Sequence, residues 1–83
     1  MKIRVRYFAQ LREMLGLSEE DFETQASDVA GLRQALIARG GAYAEALAPD
    51  QAIRCALNQQ LCTFATPLSD GAEVAFFPPV TGG

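Results

Sequence analysis

The chain has 83 residues, enough for one small domain, and hydrophobic residues make up 49% of them, which suffices for a packed core. Its formal net charge of -3 argues against binding to the phosphate backbone of a nucleic acid or to an anionic membrane surface. Histidine is absent and only two cysteines are present, so the sequence offers neither the most usual general base nor a structural zinc site, and we predict no metal site.

The sequence pattern predicts neither a signal peptide nor a transmembrane segment. Charged and apolar residues alternate at the N-terminus, and no apolar run approaches the roughly 18 residues of a transmembrane helix. We therefore expect a cytoplasmic protein without a membrane partner.

The N-terminal third predicts two strands around a helical turn. Apolar and charged residues alternate over residues 2–8, which is the period of a half-buried strand. A helical turn over residues 10–15 is predicted to end at Gly16. The acidic residues 19–25 predict a short second strand.

One main helix is predicted over residues 29–39, where apolar residues recur at helical spacing. Asp28 is its expected N-cap because a carboxylate there can accept from the free amides of the first turn. The glycines at 40–41 are expected to end the helix, and residues 43–47 predict one further turn.

The C-terminal half predicts a hairpin and a last strand. Residues 52–57 and 60–64 read as strands, and residues 58–59 offer a two-residue turn because asparagine tolerates positive φ. Residues 73–77 predict the last strand, which the prolines at 78–79 end because neither can donate to a strand ladder.

This order of elements predicts an α+β fold in which a mixed sheet wraps on one main helix. It matches the β-grasp, the architecture of ubiquitin, and by that analogy the first and last strands lie side by side and parallel. We expect one domain over residues 1–83, with an extended C-terminal tail at residues 78–83.

The two last residues, Gly82 and Gly83, put a carboxylate on the slimmest tail a polypeptide can make. Without a Cβ, glycine lets the backbone pass where other residues would clash, so such a tail can enter the active site of another protein. Pro78 and Pro79 favour an extended exit. A frayed chain end is the alternative explanation of two glycines taken alone.

The residues before these glycines resemble a known family. Residues 70–83, DGAEVAFFPPVTGG, are similar to the C-terminus of the small subunits of molybdopterin synthase, the sulfur carriers of molybdenum-cofactor synthesis. Residues 7–13, YFAQLRE, resemble the family's first strand and helix, and residues 32–34 and 57–59 also fit. The resemblance covers the whole chain.

The resemblance implies a function completed by partners. An adenylyltransferase like the ubiquitin-activating enzymes would use ATP to convert the Gly83 carboxylate to an acyl-adenylate, and a sulfur donor protein would replace AMP to leave a thiocarboxylate. The carrier would then dock on a dimeric large subunit, forming a heterotetramer, and pass its sulfur to a pterin precursor to form the dithiolene. The chain would be no enzyme on its own and would bind no cofactor stably.

In this scheme Gly82 keeps the tail slim, and Val80 and Thr81 either contact the partner's channel or act as solvated spacers. The thiocarboxylate is expected to be anionic at neutral pH, and anionic sulfur is the nucleophilic form.

Strand parity predicts a docking surface beside this tail. If the apolar residues of the first and last strands face the helix, Phe8 and Phe77 face outward. The hairpin turn sets Ala56 opposite Leu61, so Leu61 also faces outward. We call Phe8, Leu61 and Phe77 the docking patch, since clustered exposed apolar side chains mark partner sites. Three unrelated exposed residues are the alternative. The same face carries three arginines that could rim the patch: Arg4, Arg6 and Arg54.

The same register sets Cys55 opposite Cys62. A cytosolic setting favours reduced, packed thiols, and a hydrogen-bonded strand pair is a poor fit for a disulfide bridge.

Three other functions remain open from the residues alone. A terminal Gly-Gly also suits a sulfur carrier for thiazole synthesis or tRNA thiolation, and a ubiquitin-like modifier joined to lysines through Gly83. A plain binding module with an inert tail is the third. The run FFPPVT at residues 76–81 favours the molybdopterin pathway, by resemblance.

Overall fold

The computed structural model describes residues 1–79 of the chain. Within them the elements follow one another as β1 (Lys2–Tyr7), α1 (Ala9–Leu15), β2 (Glu19–Glu23), α2 (Val29–Ile37), α3 (Gly41–Ala46), β3 (Arg54–Leu57), β4 (Gln60–Cys62) and β5 (Glu73–Phe77). The strands form one sheet in the order β2-β1-β5-β3-β4. β5 is therefore its central strand, and β2 and β4 are its edges.

The sheet is mixed. β1 and β5 run parallel, whereas the pairs β1–β2, β3–β4 and β3–β5 are antiparallel. Tyr7 of β1 lies beside Phe76 of β5, as expected for neighbouring first and last strands. The predicted α+β fold with its β-grasp topology is confirmed.

Strand alternation turns one face of the sheet into the core. Ile3 and Val5 are fully buried, whereas Lys2 and Arg4 between and beside them are exposed. α2 adds its own buried stripe, and burial of each large apolar side chain contributes about 1.5–3 kcal/mol. The core cluster includes Ile3, Val5, Tyr7, Leu32, Leu36, Val74 and Phe76.

Two of the three predicted helix signals lie where the sequence placed them. Gly16 has φ +77°, and its amide donates to the Arg12 carbonyl at 2.9 Å, which ends α1. The Asp28 carboxylate accepts from the Gly31 amide at 2.8 Å and caps the start of α2.

The end of α2 differs from the prediction. The helix ends at Ile37, two residues before Arg39. Gly40 has φ +76°, a left-handed conformation that favours glycine, and it turns the chain before α3. Gly41 begins α3 instead of ending α2, and α3 takes the place of the turn predicted over 43–47.

The hairpin between β3 and β4 has the predicted two-residue turn. Asn58 and Gln59 have φ values of +48° and +69°, which is the left-handed pair of a type I′ turn. Ala56 lies opposite Leu61, so the predicted register is confirmed. β3 begins at Arg54, later than the predicted start at residue 52.

β4 is shorter than predicted because the chain beyond it serves α2. The strand ends at Cys62. The Phe64 carbonyl accepts from the Ala30 amide at 2.8 Å, and the Thr66 carbonyl accepts from the Val29 amide at 3.1 Å. These carbonyls satisfy free amides in the first turn of α2, and so they leave the sheet.

A polar cluster fastens the inner side of β2 to the helical layer. The hydroxyls of Tyr7 and Tyr43 donate to one Glu20 oxygen at 2.8 and 2.7 Å. The Arg39 guanidinium donates to the other at 2.9 Å and stacks 4.2 Å from the centre of the Tyr43 ring. Burial alone would raise the pKa of Glu20, but the hydrogen bonds from Arg39, Tyr43 and Tyr7 outweigh it and lower that pKa.

The outward acidic residues of β2 also have cationic partners. Arg4 contacts Glu19 at 2.8 Å and Asp21 at 2.7 Å, and the N-terminal ammonium lies 3.8 Å from Glu23. Over residues 1–79, no three His, Cys, Asp or Glu side chains converge as metal ligands.

Candidate functional site

The site begins where β5 becomes the tail. β5 ends at Phe77, and the half-buried Pro78 and Pro79 follow it. On one side the Phe8 amide donates to the Phe76 carbonyl at 3.2 Å, and on the other Arg54 of β3 lies opposite Phe77. The base of the tail is therefore held from both flanks, at the end of the sheet's central strand.

The four predicted tail residues lie outside the described residues. Their predicted roles, the reactive carboxylate of Gly83, the slim Gly82 and the channel contacts of Val80 and Thr81, stay predictions.

An apolar row crosses the outer face of the sheet next to this base. Ala75 of β5 lies opposite Ala56 of β3, and Ala56 lies opposite Leu61 of β4. The two alanines are 8% and 9% exposed, whereas Leu61 is 74% exposed. The small side chains of Ala75 and Ala56 thus form a shallow apolar surface, which we call the floor, and the Leu61 side chain projects beyond Ala56 at its edge.

Phe77 and Phe8 border this row at the exit of the tail. Phe77 is half-buried, and Phe8 is 38% exposed. The Arg6 guanidinium lies 5.1 Å from the centre of the Phe8 ring, within the range of a cation–π contact. All three residues of the predicted docking patch are therefore at least partly exposed to solvent. Phe77 and Leu61 lie on the two strands that flank β3, which carries Ala56.

Phe8 occupies a different element from the one predicted. β1 ends at Tyr7, and Phe8 is the N-cap of α1 with φ -123° and ψ 157°. That backbone is still extended, so Phe8 continues the direction of β1. Ala9 then adopts φ +53°, a conformation that costs a residue with a Cβ about 1–2 kcal/mol, and the chain turns into the helix.

The three arginines predicted to rim the docking patch differ in their partners. Arg54 is exposed on β3 and lies opposite Phe77. Arg4 is engaged by Glu19 and Asp21, whose hydrogen bonds raise the pKa of Arg4, so its charge is used within the sheet. Arg6 lies 3.8 Å from Glu73 and beside the Phe8 ring. A shallow hollow on this side is lined by side chains of both signs and a glycine: Lys2, Arg4, Asp21, Gly71 and Glu73.

Sequence reasoning named Ala56 only as the partner of Leu61, and it missed Ala75. Alternation along β5 contains the signal, because Glu73, Ala75 and Phe77 share one face when Val74 and Phe76 are buried. The small floor between the larger patch residues was therefore accessible to the same parity argument.

No helix within the described part of the chain combines the length and apolar character needed to cross a membrane.

Comparison with known proteins identifies the family to which this chain is similar. The model of the ThiS family matches residues 5–83. The molybdopterin synthase sulfur carrier subunit of Escherichia coli (strain K12) is 46% identical over 81 residues, which cover 98% of this chain and 99% of the relative.

Solved structures agree with the fold. One chain in the complex of subunits 1 and 2 of the molybdopterin-converting factor from Helicobacter pylori 26695 matches with a TM-score of 0.65 and 32% identity, with 100% of each chain covered. SAMP1 from Haloferax volcanii matches with a TM-score of 0.77, again over 100% of each chain, and its 24% identity speaks for the fold alone. Because the family match spans nearly the whole sequence and the E. coli relative is similar in sequence and length, this chain belongs to the ThiS family, together with the sulfur carrier subunits of molybdopterin synthase.

Proposed function

We propose that this chain is the sulfur carrier subunit of a molybdopterin synthase, and that the C-terminal carboxylate of Gly83 carries the sulfur. The observation that carries the proposal is the position of β5. It is the central strand, it ends beside an apolar row on the outer face, and its last two residues begin the run FFPPVTGG. The E. coli relative, with 46% identity, bears the name of that subunit.

The chemistry follows from the weakness of a carboxylate as an electrophile. The Gly83 carboxylate attacks the α-phosphorus of ATP on an adenylyltransferase, and pyrophosphate leaves. A sulfur donor at the oxidation level of sulfide attacks the carbonyl carbon, and AMP leaves to give a thiocarboxylate. Its anionic sulfur then attacks a carbon of the pterin precursor, and the oxygen substituent of that carbon leaves with the bonding electrons. Water later cleaves the bond between the Gly83 carbonyl carbon and sulfur to restore the carboxylate, and a second charged carrier supplies the second sulfur of the dithiolene.

The described residues contribute docking and direction to this sequence. Leu61, Ala56 and Ala75 offer an apolar surface to the large subunit, and Phe77 joins that surface to the tail. Pro78 and Pro79 restrict the conformations of the exit, which lowers the entropy lost when the tail enters a channel. The H. pylori structure, a complex of the two subunits of a molybdopterin-converting factor, supports a large-subunit partner.

Intact-mass measurement tests the carrier proposal. After incubation with ATP, the cognate adenylyltransferase and a sulfide source, replacement of one oxygen by sulfur should add about 16 Da, and omission of ATP should abolish the gain. Gly83→Ala should slow this reaction about tenfold or more, since a Cβ crowds the carbonyl. An unchanged mass in the complete reaction contradicts every carrier function.

Two further outcomes separate the alternatives. Transfer of sulfur to a pterin precursor by the charged carrier with its large subunit supports the molybdopterin pathway over thiazole synthesis or tRNA thiolation. Isopeptide-linked conjugates through Gly83 in cell lysate would instead support a ubiquitin-like modifier.

A further inference from the structure

Two thiols face each other across the hairpin, away from the chemistry of the tail. Cys55 of β3 lies opposite Cys62 of β4, with 3.6 Å between their sulfurs. The Cys55 thiol also lies 3.5 Å from the Cys62 carbonyl, to which it can donate. Both cysteines are free in the structure, and the sulfur transfer proposed for Gly83 uses neither of them.

The hairpin brings the two cysteines close enough to form a disulfide bridge, but not at the separation that disulfides prefer. Hydrogen-bonded and non-hydrogen-bonded pairs alternate outward from a two-residue turn, so Cys55 and Cys62 are a hydrogen-bonded pair with Cα atoms about 5.5 Å apart. That separation lies inside the roughly 4.4–6.8 Å that disulfides span, while the usual Cβ separation of a cross-strand pair, about 4.5–5.5 Å, exceeds the roughly 3.8 Å that disulfides prefer. A bridge can therefore form, and its strain makes it easy to reduce.

The two thiols differ in access. Cys55 is 1% exposed and lies between Cys62 and Phe76 in the sheet, whereas Cys62 is half-buried at the edge strand. Burial raises the pKa of the Cys55 thiol to about 12, the contact with Cys62 adds to this, and the charge of Arg33 acts in the opposite direction. Cys62 can thus meet a reagent from solvent, while Cys55 can meet only its neighbour.

We propose that Cys55 and Cys62 form a reversible dithiol–disulfide pair that is oxidised by low-molecular-weight disulfides, with Cys62 as the attacking and Cys55 as the resolving thiol. The Cys62 thiolate attacks one sulfur of glutathione disulfide, and one glutathione thiolate leaves. The Cys55 sulfur attacks the Cys62 sulfur, the second glutathione leaves, and the proton of the Cys55 thiol passes to the departing glutathione sulfur. The chain loses two hydrogens, and one glutathione disulfide is reduced to two thiols.

The cross-link would join the central part of the sheet to the edge strand that carries Leu61. Within residues 1–79, β4 pairs with β3 alone, through three residue pairs, so a covalent bond at the last of them closes the open end of the hairpin. The inference stands on the geometry of the thiols and does not depend on the function proposed for Gly83.

The test uses the full-length carboxylate form of the protein, incubated with glutathione disulfide, alkylated and weighed intact. We expect a loss of about 2 Da with both cysteines protected from alkylation, and dithiothreitol should restore two alkylated thiols. An unchanged wild-type mass, a lasting glutathione adduct, or disulfide-linked dimers in place of the internal bridge would overturn the proposal.

Two single variants test the division of roles. Cys55→Ser keeps the accessible thiol and should retain one glutathione, a gain of about 305 Da that persists because no resolving thiol remains. Cys62→Ser keeps the buried thiol and should gain the adduct at least tenfold more slowly. Cys55→Ala serves as a second variant if circular dichroism shows that the serine disturbs the fold. Equal rates for the two single variants would contradict the assignment.

Discussion

At one edge of the sheet, each acidic residue of β2 has a cationic partner within the chain, whereas at the other edge β4 leaves Leu61 74% exposed above two alanines. Charges on an edge strand discourage pairing with another chain, and paired charges have little left to offer a partner. An exposed leucine next to two small apolar side chains favours association instead, because a second protein surface could bury it. The contrast assigns the β2 edge to the stability of the fold, and it supports the proposal that the large subunit docks at the β4 edge.

The largest expected effect is a loss of affinity for the large subunit when the β4 edge is changed. Leu61→Asp should weaken binding to the large subunit at least about 100-fold, because a carboxylate would be buried there without a partner. Stability should change little, since the side chain is exposed in the free protein. Isothermal titration calorimetry measures the affinity. Phe77→Ala should weaken binding by a smaller factor and should also cost some stability, because Phe77 is half-buried.

Met14→Asp is the matched control, because Met14 is 44% exposed on α1 and lies outside the sheet. Equal losses of affinity for Met14→Asp and Leu61→Asp would remove the special role of the β4 edge.

The next largest expected effect is a loss of stability when the polar cluster around Glu20 at the β2 edge is changed. Glu20→Gln should lower the free energy of unfolding by about 1–2 kcal/mol, because the Arg39 guanidinium then faces an amide and the tyrosines lose a charged acceptor. Urea unfolding measures the change. Glu45→Gln removes the same charge from an exposed site on α3 and should have little effect; similar losses in both would point to net charge alone.

The same carboxylate predicts a dependence on pH. The pKa of Glu20 is lowered from its ordinary 4.5 by folding, so its contribution is complete above pH 4.5 and is lost as pH falls through the folded-state pKa. The stability advantage of the wild-type protein over Glu20→Gln should therefore shrink as urea unfolding is repeated at decreasing pH below 4.5. A constant difference over that range would assign the effect of the substitution to packing.

A smaller effect is expected in the hairpin turn. Gln59 has φ +69°, which costs a residue with a Cβ about 1–2 kcal/mol, whereas glycine adds about 0.5–1 kcal/mol of unfolded-state entropy. Gln59→Gly should accordingly stabilise the protein by about 0.5 kcal/mol in urea unfolding. Gln60→Gly, in β4 itself, should destabilise it instead, and stabilisation by both glycines would refute the turn argument.

The smallest effect is expected from Arg4→Ala. Its contacts with Glu19 and Asp21 are exposed and screened by salt, so the thermal midpoint should fall only slightly. Binding to the large subunit should stay within twofold of the wild-type affinity. A loss comparable to that of Leu61→Asp would extend the association surface to the β2 edge.

Much of the contrast between the two edges of the sheet could be predicted from the sequence, because it depends on strand alternation and on the residues of one turn. Alternation assigns Val5 to the core and Leu61 to the outer face, and Asn58 marks the turn that sets the register. The Glu20 cluster could not be predicted in this way. Its partners lie 13 to 23 residues away in sequence, and only the tertiary structure brings Tyr43 of α3 to the carboxylate.

The two boundaries that the sequence missed have different causes. Residues 63–64 have the composition of a strand, but the first amides of α2 need acceptors, and the Phe64 carbonyl supplies one. The predicted helix extends to Arg39, whereas the amide of Arg39 donates to the carbonyl of Leu36, three residues back, and Gly40 then turns the chain with φ +76°. A tertiary contact determines the first boundary, and a tightened last turn before a glycine determines the second.

The central position of β5 also has a mechanical consequence. A tail that is drawn into or out of a partner transmits force to the strand from which it emerges. Because β5 pairs with β1 on one side and with β3 on the other, through four residue pairs each, a pull along the tail loads both ladders in shear at once. An edge strand pulled in the same direction would be held by a single ladder. The central position therefore gives the base of the tail two ladders that resist such a pull, which suits the insertion and withdrawal proposed for the C-terminus.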